Sequence, residues 1–250
     1  MTGETAPDRS LLEITGTDRT DFLQGLVSND LGKLAAGLVY AALLNPQGKY
    51  LADFFIVPGP DRLYLDVKAT LAEALLRRLS MYRLRADVRI APVNLSVTRG
   101  LGPVPEGAFA DPRHPALGWR RYGTDTGAAA AIDWDAIRVA HCIPETGIEL
   151  IPEESYILEV GFERLNGVDF RKGCYVGQEV TARMKHKTEL RKGLVTVRVD
   201  GAAPVGTEIL SGDKVAGTLF TQSGGKGIAH MRFDRAEGEM RAGSAVVRRA

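Results

Sequence analysis

The last part of the chain alternates short β-prone runs with turn residues, and this pattern constrains the fold more than any other feature. The runs read GLVTVRV, TEILSGDKVAGTLFTQ, GIAHMRF and SAVVRRA, with Gly, Pro and Asp between them. Their spacing is close to the ~8–12 residues that are typical of barrels and sandwiches. We therefore predict two domains, a module over residues 1–190 and a small antiparallel β-barrel over residues 191–250.

The first module mixes strand and helix patterns. Three apolar runs are separated by the turn sequences PQGK and PGPD, which predicts a meander of three antiparallel strands. Leucines at helical spacing predict a helix over residues 69–80, and residues 17–30 predict a shorter helix with Thr17 as its N-cap. A further strand is expected over residues 87–97. The three meander runs are residues 38–45, 50–57 and 62–67.

The segment from residue 100 to residue 127 is rich in Gly, Pro, Asp and Arg and has no sustained periodicity. We predict a long connection there. The sequence WDAIRVAHCIP that follows it is helical in pattern until Pro144, and another helix is expected to begin near Gly177. Helices combined with antiparallel strands place the chain in the α+β class.

Composition excludes several classes of protein. The chain has 250 residues, of which 44% are hydrophobic, so it can bury a sizeable core. Its 32 basic and 31 acidic residues leave no net charge that would draw the whole chain to nucleic acid or a membrane. The sequence shows no signal peptide, membrane-spanning run or nucleic-acid-reading motif, and its two cysteines are too few for a disulfide framework. We therefore expect a cytoplasmic protein, and the richness in Ala, Gly and Arg points to a bacterial genome.

The sequence KGCYVGQEVTAR, residues 172–183, is the strongest candidate for a functional site. Gly173 and Gly177 permit a tight turn or a close approach to a ligand, at positions where a Cβ would clash. Cys174 precedes the expected helix and follows Lys172, and both the helix dipole and the lysine favour its thiolate form. A reactive thiol is one interpretation. The alternative is that Cys174 is a small buried apolar residue, the usual situation of a free cysteine.

Basic residues crowd the segment after this loop, opposed only by Glu189. Such a run is usually solvated, but here it could meet a polyanionic ligand or an acidic protein surface. The four histidines of the chain show no metal-ligand spacing, so we predict no stable metal site. The basic residues are Arg183, Lys185, Lys187, Arg191 and Lys192.

The chain resembles the YgfZ-type proteins, which are related to the folate-binding aminomethyltransferase (T-protein) of glycine cleavage. The resemblance is carried by KGCYVGQE, DFLQGLVSND, LLNPQGKYLADFFIV and ILEVGFERLNGVDF. It implies an aminomethyltransferase-like folate-binding module followed by a small β-barrel, with the parts arranged around a central hole. It also implies a role in the assembly or repair of 4Fe-4S proteins, with assembly factors or client enzymes as partners and a tRNA-thiolating radical enzyme as one bacterial client.

The same resemblance assigns roles to individual residues. Cys174 is the signature cysteine and Lys172 the signature lysine, which favours a functional thiol over a buried one. Glu159 matches the acid that binds the pterin ring of tetrahydrofolate or a derivative, because a carboxylate can accept from the pterin N–H and amino groups. Asn29 and Tyr175 match positions that line the same cavity. Arg183 and the Arg191-Lys192 pair are candidates to meet the glutamyl tail.

One departure from the transferases bears on activity. They carry two consecutive aspartates where this chain has Ala52-Asp53, and an aspartate where it has Cys174. Asp53 is the surviving candidate for the catalytic acid. We expect a tetrahydrofolate-binding accessory factor for iron-sulfur proteins. The alternatives are a folate-dependent aminomethyl transferase and a pure interaction module whose folate cavity is vestigial.

Overall fold

The structure, a computed structural model, describes residues 3–187 and 189–249. The chain divides into two compact units, each discontinuous in sequence. Unit 1 comprises Met1–Ile132 and Glu163–Gln178, and unit 2 comprises Asp133–Phe162 and Glu179–Ala250. The predicted domain boundary at residue 190 stays a prediction. The loop that carries Cys174 belongs to unit 1.

Unit 1 contains nine strands, two α-helices and two short 3-10 helices among its described residues. The strands are β1 (Glu4–Thr5), β2 (Arg9–Thr15), β3 (Val39–Leu44), β4 (Tyr50–Pro58), β5 (Leu63–Lys68), β6 (Arg89–Val93), β7 (Ser96–Gly100), β8 (Ala108–Ala110) and β9 (Trp119–Gly123). The helices are α1 (Arg19–Gln24) and α2 (Ala69–Tyr82), and the 3-10 helices span Leu31–Ala36 and Pro115–Leu117.

The main sheet of unit 1 places alternate residues of β4 on opposite faces. The sheet has the order β3-β4-β5-β2-β6, and its pairs are antiparallel. Ala52, Phe54 and Ile56 belong to the core that also contains Leu75 and Leu79 of α2. Because side chains alternate along a strand, Asp53 and Phe55 point to the other face. This alternation decides where the candidate acid lies.

The other face of the main sheet carries a buried ionic cluster centred on Asp66. Its carboxylate accepts from Arg9 Nε and Arg120 Nη2, each at 2.6 Å, and from the Tyr122 hydroxyl at 3.0 Å. Burial alone would raise the pKa of Asp66, but Arg120 and Arg9 hold it below its usual value. Since Arg120 and Tyr122 lie on β9, the cluster joins the main sheet to the second sheet, β1-β7-β9-β8.

Unit 2 is built on a closed antiparallel barrel, as the sequence predicts. Around the barrel the strand order is β10-β13-β12-β11-β14-β15, and residues such as Val197, Leu219 and Met231 fill its interior. The described elements of unit 2 are α3 (Trp134–His141), α4 (Gln178–Lys187, whose first residue falls in unit 1), β10 (Lys192–Asp200), β11 (Thr207–Ser211), β12 (Lys214–Ser223), β13 (Lys226–Arg232), β14 (Met240–Ala242) and β15 (Ala245–Arg249).

Three local predictions need correction. The prediction of a connection over residues 100–127 is wrong, because β8 and β9 lie within it. The predicted strand over residues 87–97 is two strands, β6 and β7, which belong to different sheets. Asp18, not Thr17, occupies the N-cap of α1, while the Thr17 hydroxyl donates to Asp87 Oδ2 at 2.9 Å. The meander and the helix that begins at Ala69 are confirmed.

Candidate functional site

The candidate site in unit 1 forms where residues 163–178 return to the segment 27–29. The backbone N–H of Asp169 donates to Ser28 O at 3.0 Å, and the Ser28 hydroxyl donates to Gly167 O at 2.6 Å. The Asn29 amide donates to Asn166 O at 2.7 Å. Ser28 and Asn29 are thus bonded to three residues of the returning segment, which fixes the loop that follows.

Lys172 is held by backbone carbonyls at the C-terminal end of α1. Its ammonium donates to Gln24 O at 2.7 Å and to Val27 O at 2.5 Å, and it lies 5.1 Å from the centre of the Tyr175 ring. Burial lowers the pKa of Lys172 to about 8, and the Asp30 and Asp169 carboxylates oppose that effect. The structure therefore gives this lysine an anchoring position, whereas the sequence suggested that it stabilises a thiolate.

Cys174 lies between two buried side chains and is itself exposed. Lys172 is 7% exposed and Tyr175 is 8% exposed, so the loop is held on both sides of the cysteine. The alternative interpretation, a buried apolar cysteine, does not hold. The other cysteine, Cys142, is half-buried and follows α3 in a left-handed conformation with φ +52°.

The two glycines of the loop have different roles. Gly177 has φ +82°, and a Cβ there would lie 2.6 Å from Asn45 O and 2.9 Å from Leu44 Cβ. A Cβ would thus clash at Gly177, as predicted, and the clash is with the turn between β3 and β4. Gly173 has no positive φ, and a Cβ built on it meets no described atom within 4 Å. No contact with the described part of the chain therefore requires glycine at position 173, and a close approach to a ligand there stays a prediction.

Asn29 and Asp53 are connected through Tyr40. The Asn29 amide donates to Tyr40 O at 2.8 Å, and its Oδ1 accepts from Lys33 Nζ at 2.8 Å. The Tyr40 hydroxyl donates to Asp53 Oδ2 at 2.9 Å. The hydroxyl of Tyr50 donates to the other oxygen of Asp53 at 2.7 Å. Asp53 is 4% exposed, so its carboxylate is enclosed and hydrogen-bonded by two phenols that sequence reasoning did not identify.

In unit 2, Glu159 lies beside two basic side chains. Its Oε2 is 3.4 Å from Lys192 Nζ and 3.4 Å from His230 Nε2, and its backbone oxygen accepts from Leu194 N at 2.8 Å. A cavity of about 210 Å³ borders these three side chains and Phe220. Sequence reasoning gave His230 no role, because neither a motif nor a spacing connects it with Glu159.

The two arginines predicted to meet a glutamyl tail also belong to unit 2. Arg183 forms an ion pair at 2.7 Å with Glu179, one turn earlier on α4, and both side chains are exposed. The Arg191 side chain is exposed and has no ion pair within residues 3–187 and 189–249. The predicted site residues are therefore divided: Asn29, Asp53, Lys172, Cys174 and Tyr175 lie in unit 1, whereas Glu159, Arg183 and Arg191 lie in unit 2.

Two further properties concern the part of the chain that the structure describes. Its helices lack the combination of length and apolar character that a membrane-spanning segment requires. Within the same residues, His, Cys, Asp and Glu side chains form no group of three or more that could hold a metal ion.

Comparison with known proteins identifies the family. Residues 191–250 match the family model described as the C-terminal β-barrel domain of CAF17. The mitochondrial iron-sulfur cluster assembly factors IBA57 of Mus musculus and Homo sapiens are each 30% identical to this chain, over 93% of it and 78% of the relative. The chain belongs to the IBA57 family. The Mycosarcoma maydis homologue is 32% identical over 76% of this chain, and the chain spans about half of that longer protein, 55%.

A solved structure is similar to this chain in fold. The aminomethyltransferase T of the Bartonella henselae glycine cleavage system superposes with a TM-score of 0.73 at 12% sequence identity, covering 97% of this chain and 82% of that one. This likeness concerns the fold alone. The predicted combination of an aminomethyltransferase-like fold with a C-terminal barrel is confirmed.

The relatives also correct one prediction. The sequence led us to expect a bacterial cytoplasmic protein, but the IBA57 relatives of mouse, human and fungi are all named as mitochondrial proteins. The predicted bacterial cytoplasmic location is therefore wrong. The predicted membership of a family of iron-sulfur assembly factors is confirmed.

Proposed function

We propose that this chain is an accessory factor for the assembly or repair of 4Fe-4S proteins, of the YgfZ type within its family. In this proposal it binds tetrahydrofolate or a derivative and presents Cys174 as its functional thiol. The observation that carries the proposal is the exposed Cys174 between the buried Lys172 and Tyr175. A thiol that served only to pack would be expected inside the core.

The number of cysteines limits how such a factor could work. A 4Fe-4S cluster is usually held by four thiolates, and this chain has two cysteines, which fall in different compact units. Cys174 can therefore supply one ligand to a cluster shared with a partner protein, or act on a thiol or cluster of that partner. Iron-sulfur assembly factors and client 4Fe-4S enzymes are the proposed partners, which agrees with the names of the relatives.

Folate binding is the less direct part of the proposal. Glu159 offers a carboxylate at 9% exposure next to a cavity of about 210 Å³, and a buried acceptor suits the N–H and amino groups of a pterin. The cavity is smaller than the ~300–1,000 Å³ of pockets that enclose drug-sized ligands, so it suits one ring and not a whole folate. Lys192 Nζ and His230 Nε2, each 3.4 Å from Oε2 of Glu159, hold this carboxylate in position.

Aminomethyl transfer remains the second candidate, and the setting of Asp53 argues against it. A general base must reach the proton that it abstracts, yet Asp53 is 4% exposed and each of its oxygens accepts from a tyrosine hydroxyl. Ala52, which stands where the transferases have their other aspartate, belongs to the core. The geometry therefore favours an accessory factor.

A complementation experiment tests the thiol. We expect Cys174→Ser to fold normally, because the side chain is exposed, and to fail to restore 4Fe-4S enzyme activities in cells that lack the protein. Cys142→Ser is the matched control and should restore them. Full complementation by Cys174→Ser would remove the cysteine from the function.

Calorimetric titration tests the ligand. Tetrahydrofolate should bind saturably to the wild-type protein, and Glu159→Gln should weaken binding by about 1–3 kcal/mol if it removes a charge-assisted hydrogen bond. His230→Ala should weaken binding by about 0.5–1 kcal/mol, because it only orients that carboxylate. Equal affinity in all three proteins would exclude Glu159 from the site.

A further inference from the structure

The C-terminal end of α2 and the turn after it form a basic surface that the proposed function does not use. Residues 77–89, here called the α2 tip, contain five arginines and a single acidic residue, Asp87, in a chain whose net charge is +1. None of the five arginines lies in the last turn of α2, where a cation would stabilise the helix dipole. The arginines are Arg77, Arg78, Arg83, Arg85 and Arg89.

Most of this positive charge is not balanced within the molecule. Arg77 Nη1 lies 3.7 Å from Oε1 of Glu73, which is one turn earlier on α2, and both side chains are exposed. The Asp87 carboxylate accepts from the backbone N–H and the hydroxyl of Thr17, at 3.1 and 2.9 Å. The other four arginines have no ion pair or hydrogen bond from their side chains to any residue that the structure describes. The α2 tip therefore presents uncompensated charge.

Two large apolar side chains project from the same surface. Met81 is 72% exposed and Leu84 is 87% exposed, the highest values among the large hydrophobic residues that the structure describes. The other side of α2 buries Leu75 and Leu79 in the core. Met81 and Leu84 take no part in that core and expose apolar area to solvent.

The backbone of Leu84 is strained as well. Its φ of +44° lies in the left-handed region, which glycine or asparagine usually occupies at the end of a helix. A leucine there costs about 1–2 kcal/mol, and an 87% exposed side chain recovers little of that cost by burial. Local stability would therefore favour glycine at this position, so the leucine points to a role outside the folding of the chain.

We propose that the α2 tip is a docking surface for an acidic surface of another protein, with an apolar pocket that receives Leu84 and Met81. Arginines pair with carboxylates in a bidentate manner and are enriched in protein interfaces. An apolar residue that fills a pocket, surrounded by such charged pairs, is the usual arrangement of an interface hot spot. Charge complementarity thus defines the partner surface as rich in Asp and Glu.

Other macromolecules fit this surface less well. A helix that binds a membrane lays its apolar face into the lipid, but the apolar face of α2 is buried against the sheet and only two side chains remain. Single-stranded nucleic acid is bound by stacking on aromatic rings, and Tyr82, the aromatic residue within residues 77–89, packs against the core.

Binding of defined probes to the intact protein tests the proposal. The probe is a fluorescein-labelled peptide of glutamates interspersed with leucines, and a double-stranded DNA and phosphatidylserine vesicles are compared with it. We expect the peptide to bind saturably at low salt and Arg83→Glu/Arg85→Glu to weaken binding by about tenfold, because like charges replace the pairs. Leu84→Gly should weaken binding severalfold while the melting temperature stays the same or rises.

Matched changes elsewhere serve as controls. Arg198→Glu/Arg249→Glu alters the net charge equally in the barrel, and Val205→Ser removes an exposed apolar side chain there. Both should bind the peptide like the wild type. Equal peptide binding by the wild type and the α2 tip variants, or no binding at all, would overturn the proposal. Tighter binding of the DNA or the vesicles that depends on the same arginines would overturn it in favour of a nucleic acid or a membrane.

Discussion

Lys172 shows how one buried charge can organise a loop. Its ammonium is bonded to two carbonyls from residues that lie 148 and 145 positions earlier in the chain. A buried ammonium is costly unless such partners replace water, and its lowered pKa of about 8 reflects the loss of solvation. Lys172 therefore orients the exposed thiol two residues later through the backbone and not by direct contact.

This assignment predicts a specific dependence of stability on pH. The folded protein binds the Lys172 proton with a pKa of about 8, against 10.5 without burial. Between these values the unfolded chain holds more protons, so the free energy of unfolding must rise with pH in that window. We expect the wild type to gain thermal stability relative to Lys172→Met as the pH rises from about 8 to 10.5, measured by differential scanning fluorimetry.

The neighbouring arginine supplies the control for this experiment. Arg171 is exposed, and a guanidinium keeps its proton throughout this pH range. The difference in melting temperature between the wild type and Arg171→Met should therefore stay constant with pH. A constant difference for Lys172→Met as well would show that the lysine is solvated and does not anchor the loop.

At the scale of elements, the packing of the loop of residues 172–177 depends on one glycine. Gly177 lets the loop pack against the turn between β3 and β4, with a positive φ that other residues rarely adopt. Gly177→Ala should lower the free energy of unfolding by about 1–3 kcal/mol, because its methyl group would overlap Asn45 O. Gly173→Ala, in open space, should change it by less than about 0.5 kcal/mol.

Urea unfolding measures both effects, and the rate at which iodoacetamide labels Cys174 reports the position of the loop. Gly177→Ala should change the labelling rate of Cys174 and leave that of Cys142 unchanged. Equal stability of the two alanine variants would mean that the packing of the loop against the β3–β4 turn contributes nothing.

The elements that could be predicted from the sequence are those with local signals. The meander and the barrel follow from alternating side chains and turn residues, and α2 follows from its leucines. Strand β9 could not be predicted, because its buried Arg120 depends on Asp66, which is 54 residues away. The glycines around Trp119 suggested a loop but make room for the indole: a Cβ at Gly100 would lie 2.5 Å from its ring.

The same distinction applies to the site. The sequence identified Cys174 and Gly177 because they belong to a compact motif. The enclosure of Asp53 by Tyr40 and Tyr50, and the contact of His230 with Glu159, arise from pairing between strands and loops and leave no pattern in the sequence. Such partners are visible only when the chain is folded.

At the scale of the whole molecule, the barrel depends on a segment that precedes it in sequence. Arg138 donates to Glu149 Oε2 at 3.0 Å and to the Thr221 hydroxyl at 2.9 Å, and that hydroxyl donates to Glu149 Oε1 at 2.6 Å. All three residues are buried. The Thr196 hydroxyl also donates to Val139 O at 3.0 Å. Residues 133–162 thus contact β12 through buried hydrogen bonds and β10 through a partly buried one.

This dependence predicts the behaviour of fragments and tests the division at residue 190. A fragment of residues 191–250 lacks the partners of Thr221, whereas residues 133–162 joined by a Gly/Ser linker to residues 191–250 retain them. We expect the shorter fragment to be less stable by at least about 2 kcal/mol, since buried hydrogen bonds to charged groups contribute about 1.5–3 kcal/mol each. Thr221→Val should destabilise the joined fragment and leave the shorter one nearly unchanged. Equal stability of both fragments in urea would instead make residues 191–250 an independent domain.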